Sequence, residues 1–191
     1  MHEALPIRGL TIIQPWAHLI ASGQKTIETR RYPTKFRGWL LIHAGLKWSK
    51  WEQMVAVQLL TSGAMIPDAT PVLGAVVAVA RLARCEPFRD TPREIRNATS
   101  KLLRARGGIS NPDLDAEITP GYDFLGLRGF TGEEVPGLWS WHLEDVIALP
   151  TPVPWTGAQG LWIPKDVAGA LHIDQQLHKA KHPSANALIP F

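Results

Sequence analysis

Leu10-Thr11-Ile12-Ile13-Gln14-Pro15-Trp16-Ala17, followed by Gly23-Gln24-Lys25-Thr26-Ile27-Glu28-Thr29-Arg30, is the stretch whose reading decides the fold. Leu10 to Ile13 is a short apolar run ended by Gln14-Pro15. Pro15 suits the first turn of a helix, where the N–H it lacks would have no intrahelical partner. Trp16 to Ser22 then supplies about two helical turns, and Gly23 is the natural stop. Thr26 to Arg30 alternates. This places Thr26, Glu28 and Arg30 on one strand face and Ile27 and Thr29 on the other. The order is strand, turn, helix, strand.

Outward from there, Gly38 opens a second strong run, Trp39-Leu40-Leu41-Ile42-His43-Ala44. Ser49 with Glu52 forms a capping box for a helix toward Leu60. Pro71 to Leu82 is the longest strand candidate. Thr91, Pro92 and Glu94 open a helix that runs to Arg106 before Gly107-Gly108. Asn111 to Pro136 is rich in Gly, Pro and Asp and reads as a long loop with short elements. Leu138 to Leu149 returns to strand character, Pro150, Pro152 and Pro154 break it, and Leu161-Trp162-Ile163 is a last short strand. Strand-like segments with interposed helices predict an α+β protein built as a small mixed β-barrel with peripheral helices, rather than a parallel α/β sheet. Residues 1–164 read as one domain, and 165–191 as a C-terminal appendage, a weak helix followed by an irregular tail.

Composition narrows the class. Of 191 residues, 45% are hydrophobic and 19% charged, enough apolar material for a core and too little charge for a disordered chain. The single cysteine, Cys85, excludes an intrachain disulfide framework and argues against a cysteine zinc site. No run approaches the roughly 18 apolar residues of a membrane span, and Met1 to Arg8 has no signal-peptide pattern. The expectation is a soluble, cytoplasmic protein with no membrane partner. The formal net charge of +3 is unevenly spread. Gln24 to Lys50 holds seven Lys/Arg against one acid, and Arg81 to Arg106 holds eight against three. Asn111 to Asp145 holds eight acids against one arginine. This predicts a polarised surface whose basic face suits a phosphate backbone; the plainer alternative is a set of ordinary solvated faces.

Gln14-Pro15-Trp16-Ala17, Gly23-x-Lys25-Thr26-x-Glu28-x-Arg30, Arg37-Gly38 and Ile42-His43-Ala44 occur in order and at compatible spacing. Here the sequence resembles the ASCH domain, related to PUA-like folds, whose members show a Gln-Pro-Trp-Ala helix start, a Gly-x-Lys turn leading to a Glu-x-Arg strand, and an Arg-Gly strand ending in Ile-x-Ala. Weaker correspondences at Gly74-Ala75-Val76-Val77, Trp141-His142-Leu143 and Gly157 to Leu161 extend it over Leu10 to Ile163. The resemblance implies a nucleic-acid cleft, with RNA or single-stranded DNA favoured and the protein partner unknown. Lys25, Arg30, Arg31, Lys35 and Arg37 would contact phosphates, Gln14, Trp16 and Glu28 would shape the pocket, and His43 would border it.

The residues allow this reading without demanding it. Lys25 follows a glycine turn and can project its ammonium. An arginine fixed by a neighbouring carboxylate, as Glu28 can fix Arg30, is a good bidentate phosphate or base-edge donor. Trp16 serves either as a stacking surface or as a core tryptophan, and Glu28–Arg30 equally as a structural ion pair. Small ASCH proteins that resemble amidohydrolases of acylated cytidine suggest an alternative, a metal-independent ribonuclease or nucleoside amidohydrolase using Lys25, Glu28 and Thr26. Their lysine matches Lys25, but Glu28 stands where they carry the threonine. A modified-nucleoside sensor is a further alternative. Neither cofactor nor metal is expected: there is no phosphate-binding glycine motif, and His172, His178 and His182 lack an evident further ligand.

Overall fold

The computed structural model describes residues 7–50, 52–53, 56–57, 71–89 and 134–181. The expected helix from Thr91 to Arg106, the loop from Asn111, and the chain end with His182 lie outside these residues. The described chain is α+β. Strand β1 (Ile7–Ile12) leads to helix α1 (Trp16–Ala21) and strand β2 (Ile27–Arg30). Strands β3 (Gly38–Ala44), β4 (Ala75–Arg89), β5 (Glu134–Pro154) and β6 (Leu161–Trp162) follow, then helix α2 (Val167–Lys181). The strands form one six-stranded sheet in the order β2-β5-β4-β3-β1-β6. Only β1 and β3 run parallel; the other pairs are antiparallel.

Alternation sorts each strand onto two cores. Leu10 and Ile12 of β1, Leu40, Ile42 and Ala44 of β3, Leu82 of β4 and Trp141 and Leu143 of β5 face α1, which contributes Ala17 and Ile20. Leu41, Val76, Val79, Leu149 and Val153 face the other way, against Trp155, Trp162 and Ile173 of α2. Asp166 starts α2 by accepting the Gly169 amide at 3.1 Å, as an N-cap residue should. Gln176 of α2 accepts the Thr151 amide at 3.2 Å. Through Ile173 and Leu177 this helix packs on the sheet.

β4 and β5 outrun their apolar stretches. β5 continues through Pro150, Pro152 and Pro154, where a break was expected. β2 covers β5 only along Trp139 to His142, so beyond Ile147 β5 pairs with β4 alone. A proline on a strand edge without a partner removes no ladder bond. Four register shifts interrupt the β4–β5 ladder, and such bulges bend and twist a strand pair. The curl brings β2 at one end of the sheet back toward β1. Arg30 of β2 donates through Nη2 to the Thr11 carbonyl of β1 at 3.0 Å. No ladder joins these strands among the described residues, so the sheet they form is curled and is not closed into the small mixed β-barrel expected.

Ser49 accomplishes its capping role with Glu52. The Ser49 amide donates to the Glu52 carboxylate at 2.8 Å, and residues 50, 52–53 and 56–57 are helical. Lys47 and the Ser49 donors hold the Glu52 carboxyl well below its usual range, at about 2.

Candidate functional site

The turn between α1 and β2 builds a buried ionic cluster. Gly23 takes φ +69°, a left-handed conformation that closes α1 at little steric cost only for glycine. The next turn is pinned to the helix, because the Lys25 amide donates to the Leu19 carbonyl at 2.9 Å. Lys25 is therefore folded inward, 3% exposed, rather than projecting from the loop as expected. Its Nζ contacts the Ile27 carbonyl and lies 3.2 Å from Glu28 Oε2. Glu28 Oε1 lies 3.2 Å from Arg30 Nη2, which also donates to Thr11. The alternation expected for β2 holds: Glu28 and Arg30 share a face and meet. That face carries Trp141 and Trp139 of β5, their register partners.

Two cations share one carboxylate, so the cluster keeps one net positive charge. Each Glu28 oxygen accepts from one of the two cations, and the Arg30 guanidinium keeps donors beyond those it gives to Glu28 and Thr11. Burial pushes the Lys25 pKa below its ordinary value, against the attraction of Glu28 and with a smaller push from Arg30. Arg30 is a fifth exposed along its side chain, yet its Nε is buried with no hydrogen-bond partner among the described residues. An orphaned buried donor costs about 1–3 kcal/mol. Trp16 stands at the rim, half-buried, with the Lys25 ammonium 6.0 Å from its ring, within cation–π range. Gln14 is buried behind it. Its Oε1 accepts the His18 amide in the first turn of α1, and its Nε2 donates to the Val72 carbonyl, each at 3.0 Å. Gln14 thus orients α1, and with it Trp16. The Gln14–Pro15 peptide is cis.

Lys25, Glu28, Arg30, Trp16 and Gln14 are brought together, and the remaining candidates are not all with them. Arg31, Lys35 and Arg37 are exposed on the segment joining β2 to β3. Thr26 is half-buried at the start of β2, its carbonyl accepting the Leu143 amide. His43 belongs elsewhere. It is 3% exposed, on the β3 face turned toward α2, with Nε2 2.9 Å from the Trp155 carbonyl and its ring edge-on to Trp162. A carbonyl only accepts, so Nε2 carries the proton, and burial holds the imidazole pKa below its ordinary value. A side chain at Gly157 would overlap the His43 ring and the Thr11 hydroxyl. His43 is a packing residue of the second core, placed there by strand parity.

The second basic segment is neutralised where it is described. Arg81 pairs with Glu144 and Asp145 at 2.7 and 2.6 Å, Arg84 with Glu86 at 3.4 Å, and Arg89 with Glu134 at 2.7 Å. The acidic stretch around β5 lies against the basic stretch of β4, so these arginines form no separate basic face. Arg31, Lys35 and Arg37 have no carboxylate partner among the described residues.

Some contributors were not singled out from the sequence: the Thr11 carbonyl, the Val72 carbonyl and Tyr32. Backbone acceptors leave no sequence signal. Tyr32 does, as an aromatic set directly after Arg30-Arg31.

Among the described residues no group of His, Cys, Asp and Glu is arranged to hold a metal ion, and no helix is long and apolar enough to cross a membrane. The ASCH domain model matches residues 10–150. No curated protein matches the chain. Among solved structures, two point variants and the parent form of an ASCH protein from Zymomonas mobilis are similar at 16% identity. The variants give a TM-score of 0.48 and the parent 0.44; each match covers 88% of this chain and 94–96% of the other.

Proposed function

From the premise that this chain belongs to the ASCH family, we propose that it binds single-stranded nucleic acid, RNA foremost, at the cleft of Lys25, Glu28 and Arg30. The observation that carries the reading is the buried, unpartnered Nε of Arg30 in a cluster with one excess positive charge. With Nη2 held by Glu28 and Thr11 the plane of the guanidinium is fixed, and its remaining N–H donors are preset for a phosphate or a base edge. Trp16 flanks the place where an unstacked base would lie, as single-stranded RNA is usually read. Arg31, Lys35 and Arg37 continue the positive surface outward with no carboxylate partner among the described residues, and they supply the sequence-independent, salt-sensitive part of binding.

Fluorescence anisotropy of labelled single-stranded RNA, single-stranded DNA and duplex DNA across a salt series tests this. Affinity should fall steeply with salt. The triple variant Arg31→Ala/Lys35→Ala/Arg37→Ala should lower the logarithmic salt slope by about 2, at roughly 0.7 per phosphate contact on a single strand. Binding absent or indifferent to salt would falsify the reading. One observation favours a second reading, hydrolysis at the same cleft: the buried Lys25 ammonium has its pKa pushed down, toward the range useful to a general base. Metal-independent cleavage of the RNA, abolished by Lys25→Met while binding persists, would establish it; intact RNA after long incubation would dismiss it.

A further inference from the structure

Tyr32 has a role that the ionic cluster does not account for. It is 41% exposed, the one aromatic among the described large hydrophobic side chains left open to solvent. An exposed tyrosine on a mobile loop would mean little, but this one is braced. Its ring meets Trp141 edge to face, centroids 5.6 Å apart at 86°, and Trp141 is fully buried. The Trp141 indole N–H also donates to the Tyr32 carbonyl at 3.3 Å. The segment after it is held at Thr34, Phe36 and Arg37. The Thr34 amide donates to Cys85 Sγ, the Phe36 amide to the Thr34 hydroxyl, and the Arg37 guanidinium to the carbonyls of Thr34 and Phe36. Arg8 lies over the Phe36 ring at 5.5 Å. The phenol end of Tyr32 points toward Gly160, where an added Cβ would lie 3.9 Å from its hydroxyl.

Its neighbours define the ligand chemistry. Arg31 precedes Tyr32, and Lys35 and Arg37 follow it, all exposed. Trp141, which braces Tyr32, is also the β5 register partner of Glu28. The braced aromatic and the ionic cluster therefore share one buried support. A braced aromatic beside cations that have no carboxylate partner among the described residues is an arrangement that takes a base by stacking while the flanking phosphates are neutralised.

We infer that Tyr32 is a stacking residue for a base of the strand whose phosphates lie on Arg31, Lys35 and Arg37. This rests on the nucleic-acid reading of the neighbouring cleft. The test compares the wild type, Tyr32→Phe and Tyr32→Ala on a short RNA, on an abasic strand of equal length, and on the RNA carrying one 2-aminopurine. Tyr32→Ala should weaken RNA binding by roughly five- to a hundredfold, the range of one lost base–aromatic stack. Its salt slope and its affinity for the abasic strand should match the wild type. Tyr32→Phe should bind as the wild type does. The 2-aminopurine should be quenched on the wild type and Tyr32→Phe and stay bright on Tyr32→Ala. Equal RNA affinity of all three proteins overturns the inference, and so does a loss in Tyr32→Ala that is as large on the abasic strand. If the wild type binds neither strand, the nucleic-acid reading itself falls and this inference with it. Near-ultraviolet circular dichroism establishes that Tyr32→Ala is folded, and Tyr32→Phe carries the quenching test if it is not.

Discussion

Two basic stretches of this chain meet opposite fates. Arg81, Arg84 and Arg89 lie on β4, and each finds a carboxylate in the β4–β5 ladder. Arg31, Lys35 and Arg37 lie on a connection between strands, and none finds one among the described residues. The ionic cluster is intermediate, with Glu28 serving both Lys25 and Arg30. Positive charge counted along the sequence is therefore a poor guide to positive charge in space. Strand pairing decides which cations remain available to a ligand, because it fixes which side chains stand opposite one another.

The strongest way to break this comparison is to remove the shared carboxylate. Glu28→Gln should cost about 3 kcal/mol of stability, because it leaves buried cations without their counter-charge. Urea unfolding measures this, and a loss below about 0.5 kcal/mol, the range of ordinary surface substitutions, would show that Lys25 and Arg30 do not depend on Glu28.

A pair with one buried member should come next. The Glu52 carboxyl is held at about 2, below the unfolded value of about 4.3. Its folded-state pKa is depressed, so its contribution is full above the unfolded value and is lost as pH falls through about 2. The unfolding midpoint should drop over that acid window in the wild type, and less so in Glu52→Gln. Equal acid profiles would count against the pairing.

The smallest effect belongs to the neutralised ladder. Replacing Arg84 or Arg89 alone by alanine should cost at most about 1 kcal/mol, the worth of one exposed pair, and replacing Arg81, Arg84 and Arg89 together should leave the nucleic-acid salt slope unchanged. A slope that fell as far as in the Arg31/Lys35/Arg37 variant would erase the distinction between the two stretches.

What the sequence discloses follows the same division between local and distant causes. The helix start at Gln14-Pro15-Trp16, the stop at Gly23, and the meeting of Glu28 and Arg30 on one face are settled within a few residues, and they are legible there. The inward fold of Lys25 is not, because a lysine after a glycine turn reads as exposed until the Leu19 carbonyl is known to hold its backbone. His43 alternates with Ile42, so parity turns it toward the second core, and which of the two faces borders the ionic cluster is not legible until the strands are paired. The reach of β4 and β5 into charged and proline-bearing sequence was hidden because the partners that make those residues tolerable come from a strand 45 or more positions away. The docking of α2 rests on Ile173 and Leu177, too few apolar residues to announce a packed face.

The contact between Arg30 and the Thr11 carbonyl gives the curled sheet a fastening of an unusual kind. A seam closed by a ladder opens only when several backbone hydrogen bonds are lost together. A seam fastened by a guanidinium releases for about 1.5–3 kcal/mol, the net worth of one charged hydrogen bond. The same guanidinium carries the orphaned Nε of the cleft. On the proposed reading, an incoming anion and the seam would share one side chain, and filling the cleft would set how tightly β2 is drawn toward β1.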